Sequence, residues 1–286
     1  MIIIAGIFVF LLVLEMIREV HTFVVTHYCI TTGKLAEKSG ILRVAVLSDL
    51  HNCTYGKKNE KLLEAIKNER PDFILVAGDM LVGKKGASFA VAEAFMREAV
   101  RIAPVFYGNG NHEQRMKEEP EYYGDAYERY KHILLESGVT LLENGSGWYK
   151  WKDEKIRMTG FEISPSYYKK FSRKKLTLSE MEGEIGEADR LSFQILLAHN
   201  PMYGETYEKW GADLTVSGHL HGGIVRCPFL GGVITPQAKL FPKYYGGNYQ
   251  IGEMALIVSR GLGTHTFPIR LFNTPELVMI EIKGTK

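Results

Sequence analysis

The sequence of 286 residues contains little cysteine and little net charge. Its three cysteines, Cys29, Cys53 and Cys227, are odd in number and form no CxxC pair, which argues against a disulfide framework and against a zinc ribbon. The formal net charge is only +2, so the overall charge does not point to a nucleic-acid partner. Internal repeats and low-complexity segments are absent from the sequence as well. We therefore expect one domain with reduced, mostly structural thiols, built on an ordinary apolar core.

Charge is also absent from residues 1–14, MIIIAGIFVFLLVL. As a helix this run spans about 21 Å, less than the roughly 30 Å of a hydrocarbon core, but the following EMIREVHTFVV extends it. A basic leading region and a small-residue cleavage site, which mark a signal peptide, are not evident. We predict a single transmembrane anchor helix over residues 1–25 and a connector over residues 26–40. A buried core helix is the alternative.

Basic residues follow the apolar run and none precedes it: Arg18, Lys34, Lys38 and Arg43. The positive-inside rule then favours the cytoplasmic side for the remaining chain.

The chain then alternates short apolar strands with amphipathic helices, a pattern typical of an α/β fold. Strands are predicted at residues 41–50, 72–77, 104–108, 139–142, 147–151, 192–200, 212–217, 253–261 and 276–282, and helices at residues 59–69, 87–101 and 121–137. Residues 22–32 are expected to be extended. The polar segment 161–190 contains KKFSRKK at residues 169–175. It is interpreted as a solvated excursion or as a basic lip for an anionic substrate.

Five polar motifs follow predicted strands, in a fixed order. They are Asp-x-His at 49–51, Gly-Asp at 78–79, Gly-Asn-His-Glu at 110–113, His-Asn at 199–200 and Gly-His-x-His at 218–221. Ligands bind outside the carboxyl ends of strands in open α/β sheets, so these side chains are expected to converge. Imidazole and carboxylate together favour Zn, Mn or Fe over Ca. A single carboxylate such as Asp79 can bridge two ions roughly 3.5–4 Å apart.

The motif order DLH, GD, GNHE, H, GHLH resembles the calcineurin-like metallophosphoesterase superfamily over residues 43 to 282. The stretches SGHLHGGIVRCPFLGG and GLGTHTFPIRLFNTPELVMIEI resemble its membrane-associated bacterial phosphohydrolases of the YkuE and UDP-2,3-diacylglucosamine pyrophosphatase type. The resemblance implies a four-layer α/β/β/α sandwich with two mixed sheets over residues 41–286, preceded by the apolar N-terminal helix.

The resemblance also implies two sets of metal ligands that share one carboxylate, holding two divalent ions (Mn, Fe or Zn). The first set is Asp49, His51 and His221, the second is Asn111, His199 and His219, and Asp79 bridges them. His112 is expected to face the substrate, to stabilise the transition state and to protonate the leaving oxygen. Its alternative role is to orient other groups. Asn111 is preferred to Asn109 as a ligand because it directly precedes His112. Glu113 stands where the family commonly has Asp.

The expected function is hydrolysis of a phosphomonoester, a phosphodiester or a pyrophosphate by metal-activated hydroxide, with a lipid-linked substrate among the options. Asn52, Arg226 and Lys243 are candidates for further phosphate contacts. A non-catalytic scaffold of the same fold is the first alternative, and a complete ligand set argues against it. A nuclease is the second alternative, and the small net charge argues against nucleic acid as a partner.

Overall fold

The computed structural model describes residues 1–169, 172, 174–223, 226–227, 231–233, 240–264 and 269–286. Within these ranges the α-helices are α1 (Ile2–His21), α2 (Glu60–Glu69), α3 (Ala90–Ala99), α4 (Asn111–Glu118), α5 (Pro120–Tyr123), α6 (Ala126–Glu136), α7 (Leu178–Ile185) and α8 (Gly204–Trp210). The strands are β1 (Val24–Thr32), β2 (Ile41–Leu47), β3 (Phe73–Val76), β4 (Val105–Tyr107), β5 (Thr140–Leu141), β6 (Ser146–Trp151), β7 (Glu154–Phe161), β8 (Phe193–Ala198), β9 (Leu214–Ser217), β10 (Arg226–Cys227), β11 (Gly231–Gly232), β12 (Gly247–Ile251), β13 (Met254–Val258) and β14 (Glu276–Gly284).

Two six-stranded mixed sheets carry the fold. The first has the order β1-β14-β2-β3-β4-β5 and the second has the order β12-β13-β9-β8-β7-β6. In the first sheet β2, β3, β4 and β5 are parallel and β14 is antiparallel to β2. In the second sheet β7, β8, β9 and β13 are parallel. The parallel strands of each sheet therefore end at the same edge, where ligands bind in such folds.

Side-chain alternation along the strands creates three apolar layers. Along β2, Val44 and Val46 face the second sheet, and with Ile195 and Val216 they belong to the core between the sheets. The alternate residues Ala45 and Leu47 pack beneath α2, α3 and α6. A third cluster joins β7, β8 and β13 to α7 and α8. Burial on both faces explains why the strands are continuously apolar in sequence. These layers confirm the predicted α/β fold with two mixed sheets and flanking helices.

Several predicted elements differ from the observed ones. The helix expected at residues 121–137 is divided into α5 and α6 at Gly124, whose φ of 65° lies in the left-handed region. The polar segment 161–190 is not simply a solvated excursion, since α7 begins with a Thr177 capping box and buries Met181 and Ile185. Part of KKFSRKK, at residues 170, 171 and 173, lies outside the described residues. Strand β7 was not predicted at all.

The N-terminal part of the chain also differs from the expectation. The N-terminal helix is present as α1, but no helix in the described part of the chain is long and apolar enough to cross a membrane. The expected transmembrane role is therefore not supported. Residues 24–32 form β1, the edge strand that pairs in parallel with β14. This confirms the extended conformation expected for residues 22–32.

Candidate metal centre

The predicted ligands and His112 come together where the two sheets meet. Asp49 and His51 follow β2, Asp79 follows β3, His112 follows β4, His199 follows β8, and His219 and His221 follow β9. All seven of these residues are buried, with at most 8% of their surface exposed. Each of them comes directly after the carboxyl end of a parallel strand. The topology therefore collects on one edge residues that lie far apart in the sequence.

The first cluster consists of Asp49, His51 and His221. Their ligand atoms all lie within 4.8 Å of one another. The Asp49 Oδ1 atom is 3.4 Å from Nε2 of His221 and 3.8 Å from Nε2 of His51. The two imidazole Nε2 atoms are 3.2 Å apart. This grouping is the same as the predicted first ligand set.

The second cluster consists of Asp79, His199 and His219, whose ligand atoms meet the same 4.8 Å limit. Nε2 of His199 lies 3.2 Å from Oδ2 of Asp79 and 3.8 Å from Oδ1 of Asp49. Asp79 Oδ2 also lies 3.9 Å from Nε2 of His51, a member of the first cluster. Asp79 is therefore placed between the two clusters, as a bridging carboxylate would be.

His112 forms a third possible grouping with His51 and Asp79. Its Nε2 atom is 3.9 Å from Asp79 Oδ2, and its backbone N–H donates to Asp79 Oδ1 at 2.8 Å. Its Nδ1 atom accepts a hydrogen bond from the Gly83 backbone N–H at 2.8 Å. The neutral imidazole therefore carries its proton on Nε2, the nitrogen that faces the centre. That arrangement suits a hydrogen-bond donor better than a metal ligand.

Two other histidines have the opposite tautomer. Nδ1 of His199 is 2.5 Å from the Ala77 carbonyl, and Nδ1 of His51 is 3.3 Å from the Leu81 carbonyl. Because a carbonyl oxygen only accepts, each Nδ1 donates and each neutral ring keeps its Nε2 lone pair for the centre. A carbonyl that holds the outer nitrogen in this way is the usual support of a metal-binding histidine.

The backbone around the centre is unusual. Asp49, His51, Asp79, His219 and His221 all have φ between 47° and 69°, a left-handed conformation that costs energy for residues with a side chain. Two glycines permit the close approach of these loops. A Cβ atom at Gly110 would overlap the Asp79 carboxylate, and a Cβ atom at Gly218 would overlap the Asp49 carboxylate. Strained backbone concentrated at one place indicates a site under functional constraint.

Asn111 and Asn109 have different surroundings. The Asn109 amide donates to Tyr127 at 2.6 Å and to Glu162 at 2.7 Å, so this side chain is engaged outside the centre. The Oδ1 atom of Asn111 is buried and has no hydrogen-bond partner among the described residues. An amide oxygen in that state is suited to ligate a cation. These surroundings favour Asn111 over Asn109 as the asparagine that would ligate a metal. The ligand role of Asn111 stays a prediction.

Glu113 has a supporting role that the sequence did not reveal. Its buried carboxylate accepts the backbone N–H groups of Asp79, Met80 and Gly110, each at 3.0 Å, and the Tyr107 hydroxyl at 2.8 Å. Burial and, after it, the nearby Asp79 charge raise the pKa of Glu113 to about 7. The carboxylate joins the loop after β3 to the loop after β4 and so holds Asp79 against His112. The motif alone marked Glu113 only as a departure from Asp.

Electrostatic effects in the metal-free cluster oppose one another. Burial raises the pKa of Asp49. Burial also acts to raise the pKa of Asp79, but the charges of His199 and His112 hold it well below its usual range. Burial would lower the pKa of His199, whereas Asp79 and Asp49 raise it to about 10. Buried acidic and basic groups this close require a proton or a cation between them.

Tyr168 forms part of the wall of the centre, although the sequence did not single it out. Its ring packs edge-on against His219 at a centroid distance of 4.9 Å and lies 6.3 Å from the His199 ring. Burial, with a contribution from Tyr207, raises the pKa of Tyr168 well above its usual range, so the phenol is neutral.

The three predicted phosphate contacts are engaged elsewhere in the structure. Lys243 pairs with Glu205 at 2.5 Å, Arg226 stacks on the Tyr245 ring at 5.5 Å, and the Asn52 amide donates to Ser88 at 3.3 Å.

The donor set fits divalent metal ions. Imidazole nitrogens and two carboxylates converge in a buried space. The amide oxygen of Asn111, the residue before His112, is buried and has no hydrogen-bond partner among the described residues. Mixed nitrogen and oxygen donors of this kind suit Zn, Mn or Fe. Asp49, His51 and His221 would hold one ion, and Asn111, His199 and His219 would hold a second, with Asp79 between them.

Comparisons with known proteins agree with this geometry. A family model described as calcineurin-like phosphoesterase matches residues 42–223. The chain is 27% identical over 280 residues to the uncharacterised metallophosphoesterase YkuE of Bacillus subtilis (strain 168), covering 93% of this chain and 88% of that protein. It is 24% identical to the phosphodiesterase YaeI of Escherichia coli (strain K12), covering 90% and 91% of the two chains. The structure of the phosphopantetheinyl hydrolase PptH from Mycobacterium tuberculosis superposes with a TM-score of 0.52 at 14% identity, covering 80% of this chain and 91% of that one.

Proposed function

Because the chain belongs to the calcineurin-like phosphoesterase family, we propose that it hydrolyses a phosphoester bond with two divalent cations held by the seven predicted ligands. The observation that carries this proposal is the pair of buried clusters, Asp49–His51–His221 and Asp79–His199–His219, with Asp79 lying between them. A single ion would not require two separate sets of donors around a shared carboxylate. Cations bound here would neutralise phosphoryl oxygens and lower the pKa of a water toward neutrality.

His112 acts on the substrate in this proposal. Its Nε2–H faces the centre and its Nδ1 is occupied by the Gly83 N–H. A second proton on Nδ1 would break that hydrogen bond, so the neutral ring works as a donor to a phosphoryl or leaving oxygen. This role stabilises the charge that develops in the transition state. The sequence-based expectation for His112 also included protonation of the leaving oxygen, and this proposal keeps only the role of hydrogen-bond donor.

A lipid-linked substrate is favoured by the N-terminal helix. Exposed apolar side chains occur around the circumference of α1, among them Ile3, Ile4, Phe8, Val9 and Val13. Large apolar side chains exposed together in this number indicate a surface that contacts a partner or a lipid interface. We propose that α1 associates with a lipid surface and keeps the enzyme beside lipid-linked phosphoesters. The placement of the domain on the cytoplasmic side rests on the charge distribution alone.

Metal-dependent turnover tests the main proposal. The full-length chain, loaded with Mn²⁺, is assayed on p-nitrophenyl phosphate, bis-p-nitrophenyl phosphate and a UDP-linked lipid, and its metal content is measured. We expect two metal ions per chain and activity that a chelator abolishes. Asp79→Asn should lose the bound metal ions and the activity. Asp125→Asn, which alters an exposed carboxylate at the start of α6, should keep both the metal ions and the activity. Full metal content without turnover on any substrate would favour the scaffold, and normal turnover of Asp79→Asn would exclude the bridging role.

A further inference from the structure

A small cavity opens directly beside the metal centre. Its volume is about 240 Å³, and it is lined by Asn111, Gln114, Arg115, Glu119, Pro165, Tyr168 and Lys169. Asn111 is a predicted metal ligand, and Tyr168 packs against His219. Two residues of the lining therefore belong to the predicted centre or contact it. The outer wall of the cavity comes from α4 and from the segment after residue 164, two parts of the chain that lie far apart in sequence.

Charge in the cavity is predominantly positive. Arg115 and Lys169 line it, and no ion pair of either residue occurs within the described part of the chain. Glu119 is the one carboxylate of the lining, so two cations and one anion leave a positive charge in excess. Most other arginines in the described residues are paired, as Arg97 is with Glu93 at 3.1 Å. An unpaired arginine and an unpaired lysine facing one cavity indicate a place for an anion.

The size of the cavity limits what can enter. Pockets for drug-sized ligands measure about 300–1,000 Å³, and this cavity is smaller. It has room for one compact group, and the remainder of a larger ligand would lie outside it. A phosphate or carboxylate at this place would receive a bidentate contact from the Arg115 guanidinium and a point-charge contact from Lys169.

We propose that this cavity is an anion subsite that takes a second acidic group, phosphate or carboxylate, carried by the phosphoester substrate. The proposal rests on the proposed function, because the first phosphoryl group occupies the metal centre. Substrates with one phosphoester and no second acidic group would then bind through the centre alone. Substrates with a second acidic group a few bonds away would bind through both places, with Arg115 and Lys169 determining the preference.

Binding of phosphonates tests the subsite without turnover, because their carbon–phosphorus bond resists phosphoesterases. Titration calorimetry on the Mn²⁺-loaded full-length chain compares propylphosphonate, 4-phosphonobutyrate and propane-1,3-bisphosphonate, with longer homologues to vary the spacing. The subsite predicts that a ligand with a second acidic group binds about tenfold or more tightly than propylphosphonate, the gain expected from charge-assisted hydrogen bonds. If only the bisphosphonate binds more tightly than propylphosphonate, the second group is a phosphate. If 4-phosphonobutyrate also binds more tightly, the subsite accepts acidic groups in general.

Variants separate the subsite from the metal centre. Arg115→Ala and Lys169→Ala should remove most of the gain and leave the affinity for propylphosphonate within about twofold. Lys175→Ala is the matched control, since it removes an exposed charge from the same segment without altering the cavity lining. Equal binding of all three ligands, or a gain that persists in both variants, would overturn the subsite alone. Failure of every phosphonate to bind would overturn the proposed function and the subsite with it.

Discussion

Individual residues divide into those that face the predicted metal centre and those that hold these residues in place. His51 and His199 have their outer nitrogens fixed by the carbonyls of Leu81 and Ala77, whereas His112 has its outer nitrogen fixed by a backbone donor at Gly83. A carbonyl and an N–H therefore impose opposite tautomers on chemically identical rings. The pattern of hydrogen bonds, more than the residue type, separates a metal ligand from a residue that acts on substrate.

Replacement of His112 tests that distinction at the residue scale. His112→Ala should keep two metal ions per chain and lower turnover by about 10²–10⁴-fold, since a hydrogen-bond donor to the transition state is lost. Metal analysis and steady-state kinetics on the same preparation provide the measurement. Loss of one ion would instead show that the grouping of His51, Asp79 and His112 holds metal.

At the scale of elements, the end of α1 is connected to the loop that carries His221. The Glu19 carboxylate, only 1% exposed, accepts from the Asn273 backbone N–H at 3.0 Å and from the Thr274 hydroxyl at 2.9 Å. The Asn273 amide in turn donates to the carbonyls of His221 and Gly223, both at 2.6 Å. The N-terminal helix therefore supports a predicted metal ligand through one intervening residue.

Removal of that support should weaken metal binding. Glu19→Ala leaves the buried Asn273 N–H without its acceptor, so the His221 loop is expected to loosen and the Mn²⁺ affinity to fall about 10–100-fold. Metal titration of the chelator-treated protein measures the effect. Glu15→Ala is the control on the same helix, because Glu15 forms an exposed pair with Arg18. Equal Mn²⁺ affinities in the two variants would show that the contact does not support the site.

At the scale of the whole molecule, the N-terminal region consists of two physically different parts. Nearly all side chains of residues 3–14 are exposed. By contrast, Phe23 packs against Tyr55 at 4.9 Å, and Val24 begins the pairing of β1 with β14. The boundary between an outer apolar arm and the folded domain thus lies within α1. The anchor end expected at residue 25 stays a prediction, and Glu19, Phe23 and Val24, which precede it, contact the folded domain.

Two truncations test this boundary. Deletion of residues 2–14 should leave the melting temperature and turnover nearly unchanged and abolish binding to phosphatidylcholine vesicles. Deletion of residues 2–25 should also lower the melting temperature, because it removes Glu19, the Phe23 contact and the first residues of β1. Differential scanning calorimetry and vesicle flotation are the measurements. If the shorter deletion unfolds the chain, α1 is part of the core and does not serve as a lipid-facing arm.

Much of the fold and of the site was determined locally and could therefore be predicted. Continuous apolar runs bounded by polar residues predicted β2, β3, β4, β8 and β9, since a strand buried on both faces has no other pattern. The five motifs after these strands predicted the ligands, because parallel strands end at one edge. The break at Gly124 depends on a left-handed φ that a glycine permits and does not require. Strand β7 depends on its pairing with β6 and β8.

The sequence by itself determined that the predicted metal ligands follow apolar strands in the order of a known phosphoesterase family. Tertiary structure alone decided which ring nitrogen carries the proton in His51, His112 and His199. It also decided that Glu113 joins two loops and that Glu19 supports the His221 loop. It also decided that Arg115 and Lys169 share a cavity with Asn111. The physical reason is that strand burial and turn chemistry depend on neighbouring residues, whereas tautomers, supporting contacts and cavities depend on groups that meet only after the two sheets have packed.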